Sequence, residues 1–161
     1  MIEPRERGEE GGAEHGGRGA QPHSMVLVDT SVWVDFFNGH ASAEARTLTA
    51  LIEDEVEICT CGVVVAEFFQ GLRRPRVITA LERYFRELCM LSPATPETYL
   101  AAAALFRKLR ERGVTVRSTI DCLVACVAEA HGALLLAKDR DMRQIVESGL
   151  CRVRQVALVA S

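Results

Sequence analysis

No stretch of this chain stays apolar for the roughly 18 residues that a membrane span needs. Residues 1–24 contain no apolar stretch, so they do not read as a signal peptide. Charge of one sign is also lacking. The formal net charge is −3, and after five acids and three Arg in residues 1–24 the remainder balances 17 acids against 16 bases. No global basic field therefore advertises a nucleic-acid partner. The six cysteines show no C-x-x-C or Cys/His spacing, which argues against a zinc site. They read as small buried reduced thiols and fit a cytosolic (cytoplasmic) setting. No internal repeat and no second domain are visible.

The length, 161 residues, suits one domain with a real core, and 48% hydrophobic with 25% charged residues is ordinary for a globular protein. Residues 1–24 differ in composition: six of the twelve glycines lie between Gly8 and Gly19. That segment is expected to be disordered. Met25 reads as a candidate natural start, with residues 1–24 an upstream extension or misassigned leader and residues 25–161 the domain.

From Met25 onward strands and helices alternate. Met25–Asp29 is a short apolar run ending in an acid, as a buried parallel strand would be. Thr30 and Ser31 supply capping hydroxyls, a helix over Val32–Phe37 follows, and Asn38-Gly39 ends it. Ala43–Glu53 has helical periodicity, and Val56–Cys61 is a second strand. Helices follow over Val63–Leu72 and Val77–Leu88, then a short strand at Met90-Leu91. Pro96 opens a helix through Arg112, and another spans Thr119–His131. Ala133–Ala137 is a very apolar strand, Asp139–Glu147 a helix, and Arg152–Val159 a last strand of alternating character. The order predicts an α/β fold, a parallel sheet between helical layers.

Against that background certain acids stand out. Asp29, Glu67, Asp121 and the pair Asp139/Asp141 each sit where an apolar segment meets a turn or a helix start. A carboxylate in low dielectric is costly unless paired or bound to a cation. Open parallel sheets bind ligands at the carboxyl ends of their strands. Asp29 ends the first strand, and Asp139 and Asp141 closely follow Ala133–Ala137, so both groups belong to one sheet edge. Glu67 follows the second strand by about a turn of helix, and Asp121 sits in the first turn of its own. Each acid also has a plainer reading: Asp29 as a helix N-cap, Asp121 as a dipole-satisfying acid, Glu67 as a solvated one. Together they suit a hard divalent cation, Mg²⁺ or Mn²⁺, which activates water and clamps phosphate charge. Basic clusters (Arg73, Arg74, Arg76; Arg107, Lys108, Arg110, Arg112; Lys138, Arg140, Arg143) read either as solvated helix faces or as grips on a phosphate chain.

Four motifs carry a resemblance. Val28-Asp29-Thr30-Ser31-Val32-Trp33 resembles the opening motif of PIN-domain nucleases, specifically the VapC toxins of bacterial toxin–antitoxin pairs. Ala66-Glu67 followed by Gly71 resembles the second. Arg117-Ser118-Thr119-Ile120-Asp121-Cys122 is close to the third and is the most specific. Leu136-Ala137-Lys138-Asp139-Arg140-Asp141-Met142 is similar to the fourth, with Met142 in place of the usual aromatic. The likeness spans Met25 to about Val159, and residues 1–24 have no counterpart in it.

The resemblance implies a three-layer α/β/α PIN-like domain with a central parallel sheet of about five strands. It implies a Mg²⁺- or Mn²⁺-dependent endoribonuclease acting through metal-activated water. Asp29, Glu67, Asp121 and Asp139 would be its acidic quartet, with Asp29, Asp121, Asp139 and Asp141 on the metal. Ser31, with Thr30 beside it, would support the centre, and Arg117 would contact phosphate or order the acids. It implies an RNA substrate such as tRNA or rRNA, a cognate VapB-like antitoxin and a homodimer. Surplus apolar surface on Val77–Leu88 and Ala101–Leu109 suits such partners, unless both helices simply pack on the sheet. Two other classes compete. A non-catalytic RNA- or partner-binding domain would keep the acids as structure alone. A phosphoryl-transfer protein with Asp29 as nucleophile is disfavoured in its haloacid-dehalogenase form, because Ser31 stands where a second acid is needed.

Overall fold

A computed structural model describes residues 24–159. The segment 1–24 expected to be disordered lies outside the described residues, Ser24 excepted. The elements follow the expected alternation: β1 (Val26–Val28), α1 (Thr30–Asn38), α2 (Ala43–Glu53), β2 (Ile58–Cys61), α3 (Gly62–Gln70), α4 (Pro75–Glu87), β3 (Cys89–Leu91), α5 (Pro96–Glu111), α6 (Thr119–Ala130), β4 (Leu134–Leu136), α7 (Arg140–Glu147) and β5 (Arg154–Gln155).

The five strands form one parallel sheet in the order β3-β2-β1-β4-β5. Right-handed crossovers then put α1–α4 on one face and α5–α7 on the other, which gives three layers. The aromatic packing agrees: Trp33 of α1 meets Tyr84 and Phe85 of α4 at ring-centroid distances of 6.0 and 5.1 Å, and Phe68 of α3 stacks on Phe85 at 5.0 Å. Strands β1 and β4 are buried because both faces are covered; Leu27, Val28, Leu135 and Leu136 are essentially inaccessible. From β1 the chain winds outward to β2 and β3, then returns to β4 on β1's other side. A crevice opens outside the carboxyl ends of strands at such a reversal. Here it lies between β1 and β4, which pair Val28 against Leu136.

The last strand differs from the expected one. Only Arg154–Gln155 pair with β4, although alternation extends over Arg152–Val159. Strand β4 is three residues long and offers no further ladder beyond the bond from Val156 N to Leu135 O. Beyond it the chain reaches α2, where Val159 N donates to the Thr47 hydroxyl at 3.0 Å. Among the described residues no helix is long and apolar enough to cross a membrane. All six cysteines are free thiols, five buried and Cys89 half-buried.

Candidate active site

The acids gather by four local devices. Asp29 follows β1 directly, and its amide donates to Leu136 O of β4 at 2.9 Å, which sets it on the crevice. It is also the N-cap of α1: one carboxylate oxygen accepts from the Ser31 amide at 3.2 Å and from the Ser31 hydroxyl at 2.7 Å. The N-cap and cleft readings of Asp29 therefore describe the same side chain. Glu67, one turn into α3, accepts from the Thr30 hydroxyl at 3.0 Å, which draws it towards α1. Asp121 stands in the first turn of α6, whose N-cap is Ser118. Asp139 caps α7, accepting from the Met142 amide at 2.7 Å.

These residues line one cleft of about 400 Å³ with Thr30, Ser31, Arg117, Ser118 and Asp141. All eight residues singled out from the sequence thus reach the same hollow. Within it Asp141 is placed differently from the others. It is buried, and one of its oxygens accepts from both the amide and Nε of Arg117, each at 2.9 Å. Arg117 therefore orders an acid.

The electrostatics follow from crowding. Burial, then the negative charges of Asp139, Asp29, Asp141 and Glu67, push the Asp121 carboxyl up to about 7. Burial also raises Asp29, with the Ser31 hydroxyl and amide pulling the other way. Asp141 is held below the ordinary carboxylate value, mainly by the Arg117 amide and then, against burial, by the guanidinium. Among the described residues no three His, Cys, Asp or Glu side chains stand together at ligating distance. The physical reason is that like charges repel, and Asp29, Glu67, Asp139 and Asp141 each turn to a nearby donor. A carboxylate nonetheless offers about four lone-pair positions, so each keeps acceptor capacity beyond these bonds. An all-oxygen set, half-buried and mutually repelling, fits a hard divalent cation with an incomplete protein shell.

Sequence reasoning did not single out Asp35, nor its pairing with Lys138. Asp35 of α1 is buried and receives Lys138 Nζ at 2.6 Å. Lys138, grouped by sequence with Arg140 and Arg143 as a helix face, precedes α7 and is committed to this pair. The available signal was a charged residue inside the apolar run Val32-Trp33-Val34-Asp35-Phe36-Phe37.

Residues 26–147 match the PIN domain model. Ribonuclease VapC11 from Mycobacterium tuberculosis is 36% identical over 118 residues, which cover 73% of this chain and 88% of that protein. The chain belongs to the PIN-domain family, on its VapC branch. Solved structures share the fold of this PIN domain. VapBC2 from Rickettsia felis, bound to a DNA fragment from its promoter, superposes with a TM-score of 0.61 at 18% identity over 82% of this chain and 97% of that one. VapBC-1 from nontypeable Haemophilus influenzae gives 0.62 at 16% identity over 82% and 96%.

Proposed function

We propose that this PIN domain is a Mg²⁺- or Mn²⁺-dependent endoribonuclease, the toxin half of a toxin–antitoxin pair. The observation that supports this best is Asp121. It is pushed up to about 7 among four other acids in one cleft, a charge excess that calls for a cation. Asp29, Asp121, Asp139 and Asp141 would hold it, with Glu67 as the remaining member of the acidic quartet. When bound, such a cation neutralises phosphate charge and activates water for in-line attack. The chain's own residues do the rest. Ser31 fixes the Asp29 carboxylate, Thr30 fixes Glu67, and the Asp139 cap fixes the fourth acid relative to α7. The Arg117 side chain is 78% exposed, with guanidinium donors beyond Nε to meet a phosphate at the rim.

A VapB-like antitoxin would serve as partner. A groove of about 430 Å³ along α4, where apolar Phe69, Ile78, Phe85 and Met90 stand beside the charged Glu82 and Arg86, suits an amphipathic partner segment. A homodimer is part of the same reading, with Tyr99 and Leu100 of α5 55% and 67% exposed. The substrate class, tRNA or rRNA, is carried by family likeness alone.

Water attack leaves a 5′-phosphate and a 3′-hydroxyl. The test is end-mapping of RNA treated with the full chain, with Mg²⁺ and with EDTA, beside Asp29→Asn. Cleavage that EDTA abolishes and Asp29→Asn lacks is expected. Products bearing a 2′,3′-cyclic phosphate would contradict the chemistry. Intact RNA with retained binding would favour the non-catalytic domain.

A further inference from the structure

We propose that the Asp35–Lys138 ion pair positions Asp139, and so sets how tightly the acidic cleft holds a divalent cation, without either residue touching cation or RNA. The inference rests on the metal-dependent reading above and concerns residues outside the acidic cluster.

The pair joins two parts of the chain 103 residues apart. Asp35 lies on α1, the helix that starts from Asp29. Lys138 is the residue before Asp139. The bond therefore couples the helix carrying the first acid to the turn carrying the fourth. Asp35 is a fixed post for this tether. It is only 6% exposed. Its second oxygen meets His40 Nδ1 at 3.2 Å, and its backbone carbonyl accepts from the His40 amide at 2.9 Å. The Ser42 hydroxyl, which caps α2 through the Ala45 amide, also bonds the carboxylate. Two neighbours, His40 and Ser42, thus hold the acceptor that Lys138 meets.

On the other side of Asp139, Asp141 is tied to Arg117. Residues 138 and 141 are both anchored, and Asp139 is gripped between them, with its own carboxylate on the Met142 amide. The ammonium of Lys138 is neutralised by Asp35 and so is not offered to a phosphate. Buried or half-buried ion pairs contribute little net stability against apolar replacements, and their best-attested use is to fix registry. A tether one residue from a cluster acid fits that use. Outer contacts that orient ligands typically change metal affinity about 10- to 100-fold when removed.

The experiment titrates Mn²⁺ into the full chain by calorimetry and measures, with RNA, KM, kcat and the half-saturating Mn²⁺ concentration. Lys138→Met is the main variant, because its side chain is 46% exposed and Met keeps most of its apolar stem. Asp35→Asn is the second. Each is expected to weaken Mn²⁺ binding about tenfold while KM for RNA at saturating metal stays unchanged. The double variant should be no worse than the weaker single one, since both break one interaction. Lys138→Arg should restore binding. Unchanged Mn²⁺ affinity with loss confined to Tm would overturn the proposal, and so would a raised KM with intact Mn²⁺ affinity, which would make Lys138 an RNA contact. A wild-type chain that binds no Mn²⁺ would overturn the metal-dependent reading itself; tight wild-type binding with equally tight variants would sink the positioning role alone.

Discussion

Arg117 reaches the same carboxylate oxygen of Asp141 twice, through its amide and through Nε, both at 2.9 Å. One bond comes from backbone and one from side chain, so removal of the guanidinium and removal of the acid are unequal. Asp141→Ala strands a backbone N–H and should cost roughly 2 kcal/mol. Arg117→Ala keeps the amide bond and should cost less. Chemical denaturation of both variants checks the order. Because Asp141 is held below its ordinary value, its contribution is present above that value and disappears as pH falls through the lower, folded one. The gap between wild type and Asp141→Ala should accordingly close in strong acid.

Asp121 titrates with the opposite sign. Its folded value, about 7, lies above that of an unfolded aspartate, so the native state holds a proton that the unfolded chain has already lost. Metal-free protein should lose stability as pH rises from about 4 to 7, and Mg²⁺ should reverse the loss. Asp121→Asn should flatten that slope while abolishing cleavage. Thermal unfolding in EDTA across this range decides; an unchanged slope in the variant would contradict the assignment.

Thr30 and Ser31 are adjacent but serve different acids, Glu67 and Asp29. Thr30→Val keeps the shape and deletes the hydroxyl, so Glu67 loses its donor at a cost of about 1 kcal/mol. Ser31→Ala removes one of the two Ser31 contacts that restrain the rise of Asp29. Its activity profile should therefore move to higher pH, whereas Thr30→Val should lower activity at every pH. Initial-rate profiles from pH 5 to 9 separate the two.

Trp33, the only tryptophan, is fully buried and stacks on Phe37 at 5.8 Å. Trp33→Ala should cost about 3–5 kcal/mol through transfer and cavity terms. Trp33→Phe should cost far less. Circular dichroism follows both variants, and in wild type the single indole lets fluorescence report unfolding of the α1–α4 layer directly.

Much of the fold is legible along the chain because short, doubly buried strands such as Leu134-Leu135-Leu136 leave unbroken apolar runs, and caps such as Asp29 and Ser118 mark where helices start. Boundaries moved where neighbours decided them. Helix α1 begins at Thr30, ahead of Val32, because Asp29 caps it. Strand β5 shrinks to two residues because β4 is short.

The sequence by itself determined the order of elements, the parallel sheet and the acids at strand and helix ends, because periodicity and capping act over a few residues and leave local marks. Only the tertiary structure decided that Arg117 bonds Asp141 through its amide and Nε, that Thr30 holds Glu67, and that Lys138 pairs with Asp35. A charge shows in sequence as a charge; its partner, 24 to 103 residues away for the two lysine and arginine pairs, is selected by how the sheet winds.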